Sequence, residues 1–500
     1  MIGIVAPAVP IPTPHIEWLP ILPEVILVGT GLVAMLYEAF APRSERSVHL
    51  ALSLVGLGGA AYAAYSLWDW TGDPTVLAGA VAADRYAVVA RLLLIAIAAV
   101  GLLYGTHYFA RTPEHERGEF YPLVLFATSG MTLIAASADL IVMFLALEIL
   151  SLSLYVLTGF SNRVESNEAS MKYFLLGAFS SAFFLYGVAM AYGATGTTRI
   201  GPIALALAGQ TGSTALALLG FVFLVVGFAF KVGAVPFHMW TPDVYQGAPT
   251  PVTAYMGAAT KTAAFLALIR VLDVAFQPLT WDWTPVIWVL AAVSIVVGSV
   301  LAIAQTDVKR MLAYSSIAHA GFILTGLTAA NQDGIQAAMF YLVAYATMVL
   351  GAFGVVMLVS SRGEERTNLS AYTGLSRRRP LLAGLMTLFL LSLAGIPPTA
   401  GFMAKVSVFG AAIRAGHWPL VLIGVLSSVV AAFFYLRVIV LMYMQEPAGV
   451  VAATAPEPGD EGRGWLAGAG LLAPAILTLV IGVFPQLVLG LLEKASVLTW

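Results

Sequence analysis

The chain has 500 residues, of which 60% are apolar, only 10% are charged and none is cysteine, and its mean hydropathy is +0.91. A soluble globular domain is about 25% charged, so this composition excludes a water-soluble enzyme, and the amount of apolar surface that must be buried excludes a disordered chain. The net charge of −2 implies no nucleic-acid partner, and the missing cysteines exclude disulfides, thiolate nucleophiles and cysteine-ligated iron–sulfur clusters.

Apolar segments of about 20 residues, the length that crosses a hydrocarbon layer of about 30 Å, recur from one end of the sequence to the other. We therefore predict an all-α polytopic membrane protein with about fourteen transmembrane helices. Two polar connections, 360–380 and 446–464, are predicted to be surface loops. The predicted spans lie near 21–40, 47–68, 86–109, 120–137, 139–158, 169–194, 213–233, 250–272, 284–304, 308–329, 334–359, 381–413, 418–444 and 465–490.

The positions of the lysines and arginines predict how the chain is oriented. Inner connections of membrane proteins carry an excess of basic residues, and an N-terminus on the outer side gives the stronger bias here. An even number of crossings then leaves both termini outside. The inner basic residues are Arg43, Arg46, Arg111, Arg117, Arg163, Lys172, Lys309, Arg310, Arg362, Arg366, Arg377, Arg378, Arg379 and Arg463. The outer ones are Arg85, Arg199, Arg270, Arg414 and Lys494.

A few charged residues remain inside the apolar segments. A cation at the centre of a bilayer costs about 2.5–3.5 kcal/mol, so intramembrane ionisable residues are candidate functional groups. We interpret Arg91 and Arg437 mainly as structural. The full set is Arg91, Lys231, Lys261, Lys405 and Arg437, together with the carboxylate of Glu148.

Glu148 and Lys261 are the most deeply placed of these groups. Glu148 lies at the midpoint of its predicted span, and the alternative to a functional role is a structural carboxylate satisfied by Ser151 or Tyr155. Lys261 lies near the middle of its span, between two threonines, and is too deep to reach the interface easily. We therefore predict that both groups are functional.

Two other lysines lie beside predicted helix breaks. Lys231 is followed by Gly233 and Pro236, and Lys405 follows the segment LAGIPPTAGF, which contains Pro398. Proline removes helix hydrogen bonds, and freed backbone groups at membrane depth are tolerated only where protein or water satisfies them. The pattern predicts two broken helices with hydrated cavities, although Lys231 could instead reach the interface along its own stem.

Three further residues are weaker candidates. His238 and His319 could relay protons near neutral pH, or they could be hydrogen-bonded core histidines. Lys172 could approach Glu148 across an inner loop, or it could be an ordinary interfacial cation.

The spacing of the charged groups suggests an internal duplication. Lys231 and Lys405 are 174 residues apart, and the same interval leads from Glu148 to the neighbourhood of His319 and from Lys261 to that of Arg437. We therefore predict two five-helix groups with one broken helix each, in which broken helices occupy corresponding positions. The predicted organisation is 1–119 for three N-terminal helices, 120–272 and 284–444 for the two groups, and 465–500 for a C-terminal helix.

A row of such groups can move protons. Moving one proton against a membrane potential of about 150 mV requires about 3.5 kcal/mol. The interaction between neighbouring charges in a low dielectric is strong enough to provide this free energy. If Glu148 lies near Lys231, its approach stabilises the ammonium group and its withdrawal favours deprotonation. A charge change at one lysine then alters the next.

With these residues identified, the sequence resembles the antiporter-like membrane subunits of respiratory complex I, over about residues 20–490. The resemblance is carried by FKVGAVPFHMWTPDVYQGAPTPVTAYMGAATKTAAF at 230–265, MLAYSSIAHAGF at 311–322 and LSLAGIPPTAGFMAKVSVF at 392–410. Within that family it is most similar to the subunit N branch, and lysine rather than glutamate at 405 argues against the subunit M branch.

The resemblance implies two inverted five-helix repeats and proton pumping that is driven by NADH oxidation in other subunits. It also implies that Glu148 and Lys231 are a coupled pair, that Lys261 is the central proton carrier and that Lys405 carries the proton towards the outer side. His238 and His319 look like members of the connecting polar axis, with Lys172 in support.

The same resemblance implies the surroundings of the chain. NADH, FMN, iron–sulfur clusters and quinone are expected in partner subunits and none in this chain. The expected partners are neighbouring antiporter-like and small hydrophobic membrane subunits and the lipid of a bacterial inner membrane.

Two alternatives remain open. A subunit of a multisubunit cation/proton antiporter or of a membrane-bound hydrogenase would share the architecture and the polar axis. A haem-b membrane oxidoreductase would use His238 and His319 as axial ligands, but it gives no reason for three buried lysines.

Overall fold

The computed structural model describes residues 17–40, 46–111, 118–209, 212–360, 365–446 and 464–498. Within these ranges ten helices are long and apolar enough to cross a membrane, judged by length and composition, and two shorter helices, Phe120–Ala136 and Pro380–Ala394, are also apolar. The chain is therefore nearly all-helical, as the sequence predicts. Four of the basic residues used to predict orientation, Arg43, Arg117, Arg362 and Arg463, lie outside the described residues, as do most of the loop 446–464 and the side chain of Arg46.

We number the α-helices in chain order. They are α1 Leu22–Phe40, α2 Arg46–Tyr65, α3 Arg85–Ala110, α4 Phe120–Ala136, α5 Leu140–Thr158, α6 Val164–Thr195, α7 Ile200–Ala208, α8 Thr214–Val232, α9 Trp240–Gly247, α10 Thr250–Arg270, α11 Thr280–Ile303, α12 Val308–Leu327, α13 Gln332–Val359, α14 Leu375–Arg378, α15 Pro380–Ala394, α16 Ala400–Arg414, α17 Trp418–Met444, α18 Gly464–Val483 and α19 Gln486–Ala495. A turn of π-helix, Val271–Ala275, extends α10, three short 3-10 helices are Leu19–Ile21, Gln277–Leu279 and Leu369–Tyr372, and one antiparallel hairpin pairs Thr75–Val76 with Val81–Ala82.

Two helices form the centre of the bundle. Every residue of α10 is buried, and α13 is buried along nearly all of its length, because other helices surround both of them. Helices such as α1, α6 and α17 instead keep exposed rows of large apolar side chains, which suit contact with lipid. A polar side chain on α10, or on α13 beyond its exposed first turn, is thus largely enclosed by protein.

Both predicted helix breaks are present, and they have the same local design. Helix α8 ends at Gly233 with a φ of 71°, and α15 ends at Gly395 with a φ of 88°, the left-handed conformation that glycine adopts at a helix C-terminus. A proline follows three residues later in each case, Pro236 and Pro398, before the second half-helix begins. The breaks thus correspond at an interval of 162 residues, from 233 to 395 and from 236 to 398.

This interval changes the interpretation of the lysine spacing. Lys231 precedes its break and lies in α8, whereas Lys405 follows its break and lies in α16. The 174 residues between the two lysines therefore connect positions on opposite sides of the breaks. At the interval of the breaks themselves, the residue that corresponds to Lys405 is Asp243 in α9.

A second pair of matching structures fixes the starts of α5 and α12. Asp139 caps the N-terminus of α5 and accepts a hydrogen bond of 2.6 Å from Thr198. Asp307 caps α12 in the same way and accepts a hydrogen bond from Thr367. Each aspartate also forms an isolated β-bridge to the residue after its threonine. The backbone bonds that accompany them are Leu140 N to Thr198 O at 2.9 Å and Val308 N to Thr367 O at 2.7 Å.

Candidate functional site

Lys231 lies in the last turn of α8, immediately before the break, and it is only 2% exposed. Among the described residues its ammonium group has no hydrogen-bond partner. It lies over three aromatic rings instead, with ring centroids at 5.5 Å for Tyr155, 5.2 Å for Tyr173 and 5.8 Å for Phe230. This lysine is enclosed and does not extend its amino group to an interface.

Glu148 lies on α5 and is the carboxylate whose charge acts on Lys231. Its Oε1 atom is buried and has no hydrogen-bond partner within the described part of the chain. Ser151, which could have satisfied this carboxylate, instead donates to the carbonyl of Leu147 in its own helix. The two charged groups therefore interact through space without a direct hydrogen bond.

Lys261 occupies the middle of α10 and is 1% exposed. Its Nζ donates to the carbonyl oxygen of Ser316 at 2.6 Å and to the hydroxyl of the same residue at 2.9 Å, so that it joins α10 to α12. A Cβ atom on Gly233 would lie 3.6 Å from this Nζ. The central lysine is thus held between α12 and the break that follows α8.

His319 lies one helical turn beyond Ser316 on α12. Its Nδ1 is 2.7 Å from the hydroxyl of Tyr341 and its Nε2 is 3.3 Å from the hydroxyl of Tyr435, which also hydrogen-bonds to Ser315. Both ring nitrogens are therefore occupied by tyrosine hydroxyls. The haem interpretation would require that one of these contacts be broken before an iron could bind.

Lys405 lies on α16 and reaches back across the second break. Its Nζ donates to the carbonyl of Ala394 at 2.8 Å, at the C-terminal end of α15, where the helix dipole favours a cation. The same atom lies 4.8 Å from the ring centroid of Phe322. Phe322 is also in edge contact with His319, at 5.7 Å between ring centroids. Lys261, His319 and Lys405 are thus linked through neighbouring residues of α12.

The remaining candidates lie at the edges of this row. His238 is half-buried in the turn between α8 and α9. Lys172 is 43% exposed and forms ion pairs with Glu168 at 2.7 Å and with Asp243 at 2.9 Å. Both alternatives for this residue, an approach to Glu148 and an ordinary interfacial cation, stay hypotheses.

The two arginines that we interpreted as structural have contacts of that kind. Arg91 forms a buried ion pair with Glu24 at 2.8 Å and donates to the carbonyl of Pro20. Arg437 donates to the carbonyls of Ile303 and Gln305 at the end of α11.

A charged cavity of about 410 Å³ lies at the end of the bundle where α6, α9 and α12 meet. Arg310 and Lys172 both pair with Asp243 on its wall, at 2.6 Å and 2.9 Å. A cavity of this size with a polar lining can hold water. Its lining residues are Arg163, Glu165, Glu168, Ala169, Lys172, Asp243, Gln246, Gly247, Arg310, Glu365 and Thr367.

Glu365, on the wall of this cavity, is a residue that sequence reasoning missed. It is only 8% exposed and accepts hydrogen bonds at 2.8 Å from Lys309, from the hydroxyl of Tyr108 and from the backbone of Thr250, while Arg163 lies at 3.5 Å. Burial raises the pKa of the Glu365 carboxyl, but the charges of Lys309 and Arg163 and the hydrogen bonds outweigh it and hold this pKa at about 2. A carboxylate in a loop is usually solvated, so no sequence signal marked it.

We expect Glu365→Gln to lower the free energy of unfolding by about 3 kcal/mol at pH 7, because it leaves the fully buried Lys309 without its counter-ion. The pKa of Glu365 is lowered from 4.5 to about 2, so its stabilisation is complete above about pH 4.5 and is lost as the pH falls towards 2. The loss of stability between about pH 5 and pH 2 should therefore be smaller in the variant. Thermal unfolding of the detergent-solubilised protein measures both effects.

Glu168→Gln is the matched control for this prediction. Glu168 lines the same cavity and pairs with Lys172, but it is 62% exposed. An exposed ion pair contributes at most about 1 kcal/mol, so this variant should unfold almost as the parent does. Equal unfolding temperatures for the two variants would contradict the assigned role of Glu365.

The comparisons with known proteins agree with this geometry. A bundle of apolar helices, two of which are interrupted beside buried lysines, defines an antiporter-like membrane protein. The chain belongs to the family described as "NADH:quinone oxidoreductase/Mrp antiporter, TM", whose model matches residues 137–431.

Individual relatives refine this assignment. The chain is 47% identical to NADH-quinone oxidoreductase subunit N of Acidothermus cellulolyticus, over 97% of each chain. It is 35% identical to a chain of respiratory complex I from Thermus thermophilus, with a TM-score of 0.78 over 95% of this chain and 100% of that one. A chain of the Mrp complex from Dietzia sp. is 23% identical, with a TM-score of 0.83 over 96% and 97% of the two chains, and shares the fold.

Proposed function

We propose that this chain is a proton-translocating membrane subunit of a bacterial NADH:quinone oxidoreductase. The curated relatives that carry that name match it over nearly their whole length. The observation that carries the proposal is the enclosed row of Lys261, His319 and Lys405, whose members are linked through α12. NADH, FMN, iron–sulfur clusters and quinone belong, in this proposal, to partner subunits.

The row acts as a relay in which each group loads and releases a proton in turn. Glu148 and Lys231 form the electrostatically coupled pair at one end. Lys261 receives the proton through the region around Ser316, and His319, with its tyrosine partners, lies between it and Lys405. The contacts that support this order are the hydrogen bonds from Lys261 to Ser316 and the packing of Phe322 between His319 and Lys405. His238 and Lys172 are supporting groups at the edges.

The two five-helix groups, 120–272 and 284–444, are inverted repeats in this proposal. The matching breaks at Gly233 and Gly395 and the matching aspartate caps at Asp139 and Asp307 support it. Fourteen crossings result when α4, α10, α12 and the broken pair α15–α16 are added to the ten candidate spans. Residues 1–119 then contribute the first three helices and 465–500 the last.

The orientation and the surroundings follow the distribution of basic residues and the family. Both termini lie on the outer, periplasmic side of the inner membrane, and the charged cavity beside Glu365 opens to the inner side. The neighbours are other antiporter-like and small hydrophobic subunits of the same complex.

Purification of the tagged chain from its native membrane tests the assembly. We expect the remaining subunits of an NADH:quinone oxidoreductase to co-purify and NADH to drive acidification of inverted membrane vesicles. A purely hydrophobic complex without redox subunits would indicate a cation/proton antiporter instead, and a partner hydrogenase would indicate the related hydrogenase assembly. An absorption band of haem in the purified chain would contradict the proposal.

Glu148→Gln should reduce proton translocation less than Lys231→Ala does. The glutamine keeps the shape of the side chain and removes only the charge that acts on Lys231, whereas alanine removes the proton-binding group. Acidification of inverted vesicles per NADH oxidised measures both variants. If Glu148→Gln is as severe as Lys231→Ala, the glutamate is itself a proton carrier.

A further inference from the structure

We propose that Tyr155, Tyr173 and Phe230 form an aromatic cage that holds the charged form of Lys231 and thereby sets how readily this lysine exchanges its proton. The inference rests on the proposed function and adds positioning residues to it. Each ring centroid lies within 6 Å of the ammonium nitrogen, the range in which the face of an aromatic ring attracts a cation.

The cage replaces hydrogen bonds that this lysine lacks. An ammonium group has three hydrogen-bond donors. The ammonium groups of Lys261 and Lys405 each donate at least one hydrogen bond to a protein oxygen. Lys231 is as deeply buried as they are, yet its Nζ has no hydrogen-bond partner among the residues that the structure describes. The ring faces are therefore the attractive groups in contact with its charge.

The walls of the cage are held by further aromatic contacts. Tyr173 stacks on Trp240 at 4.7 Å with an angle of 10° between the rings, and it meets Tyr155 edge-on at 4.8 Å. The indole Nε1 of Trp240 donates to the carbonyl of Phe230 at 2.8 Å. Since Phe230 lies on α8 and Trp240 on α9, these supporting contacts tie the cage to both sides of the helix break. A displacement of α9 against α8 moves the ring on which Tyr173 rests.

The other titratable groups around Lys231 come from three helices. Helix α5 supplies Glu148 as well as Tyr155, α6 supplies Tyr173, and α10 brings Lys261 to the neighbouring Gly233. On α9, Asp243 is paired with Lys172 and Arg310 at the cavity. Glu148 is thus the anion that acts on Lys231, and the cage adds a fixed attraction that remains when Glu148 moves away.

Substitution at Tyr173 in the assembled complex separates the ring face from the hydroxyl. Tyr173→Leu removes the aromatic ring face and so weakens the attraction for the Lys231 ammonium group. Lys231 then loses its proton at a lower pH than in the parent. We expect the alkaline limb of the pH profile of NADH-driven proton translocation to move to lower pH by about one unit, a tenfold change in proton concentration. Tyr173→Phe keeps the face and should restore the parental position of this limb.

Phe184→Leu is the matched control. Phe184 is a fully buried ring on the same helix, and its ring contacts are Phe144 and Phe228, so this variant loses the same packing away from the lysine. Its pH profile should match the parent. An equal shift in Phe184→Leu, or no shift in Tyr173→Leu, would overturn the cage.

If Tyr173→Leu fails to assemble, phenylalanines with increasing numbers of ring fluorines at position 173 provide the test. Fluorination weakens the ring face while the packing stays nearly constant, so the limb should move further with each added fluorine. If the pH of the alkaline limb does not depend on the number of fluorines, the cage is rejected. The proposed function fails separately, if Lys231→Ala pumps protons as the parent does.

Discussion

Lys261→Ala is expected to abolish proton translocation by this subunit while the complex still assembles. Without a basic group at 261, a proton must cross the middle of the bundle unaccompanied, and a bare charge there costs several kcal/mol. Each 1.4 kcal/mol is a tenfold change in rate, so the loss should exceed tenfold. NADH-driven acidification of inverted vesicles measures the effect, with the subunit content of the purified complex determined in parallel.

Lys494→Ala is the control for the loss of a lysine as such. Lys494 lies on α19 and is exposed, so its removal should leave translocation and assembly unchanged. Normal translocation in Lys261→Ala would remove this residue from the relay. Loss of assembly in that variant would instead assign Lys261 a structural role through its bonds to Ser316.

Gly395→Ala should reduce translocation several-fold because it displaces Lys405. A Cβ atom at 395 would lie 2.9 Å from Cδ and 3.2 Å from Nζ of Lys405, so the lysine must move away from the carbonyl of Ala394. The φ of 88° adds a backbone cost of about 1–2 kcal/mol. Translocation per NADH oxidised and thermal stability, measured on the same preparation, separate the two effects.

Gly416→Ala isolates the backbone cost. Gly416 has nearly the same φ, 87°, but no atom lies within 4 Å of the position its Cβ would take. We expect the two variants to lose similar stability, and only Gly395→Ala to lose translocation. Equal translocation in both would show that the contact with Lys405 is unimportant.

The broken helices were predictable from the sequence because their causes are local. Glycine and proline act on their own backbone, so Gly233 with Pro236 and Gly395 with Pro398 identify both breaks without knowledge of neighbouring helices. The burial of Lys231, Lys261 and Lys405 was predictable for a similar reason, since apolar segments of membrane length surround each of them.

The partners of these residues were not predictable, because they come from distant parts of the chain. Ser316 is 55 residues from Lys261, and Tyr435 is 116 residues from His319. The motif at 311–322 contains Ser316, but nothing in the sequence showed that it faces Lys261 or that Tyr435 faces His319. Charge drew attention to Arg437 instead, which binds carbonyls at the end of α11, while Tyr435 faces His319.

The register between the two halves shows a different limit of sequence reasoning. The lysines were aligned with each other because they carry the chemistry, whereas the two helix breaks correspond at their glycines and prolines. Lys231 and Lys405 therefore lie before and after their breaks. At the interval that separates the two breaks, Asp243, a cavity residue, corresponds to Lys405.

The aspartate caps at Asp139 and Asp307 restrict how helices α5 and α12 can move. Each fastens the first turn of a long helix to a strand-like connection through both side-chain and backbone bonds. With α5 and α12 anchored in this way, sliding of either helix along its axis would break these bonds. In the proposed relay, movement would then be confined to the lysine side chains and to the short segments at Gly233 and Gly395.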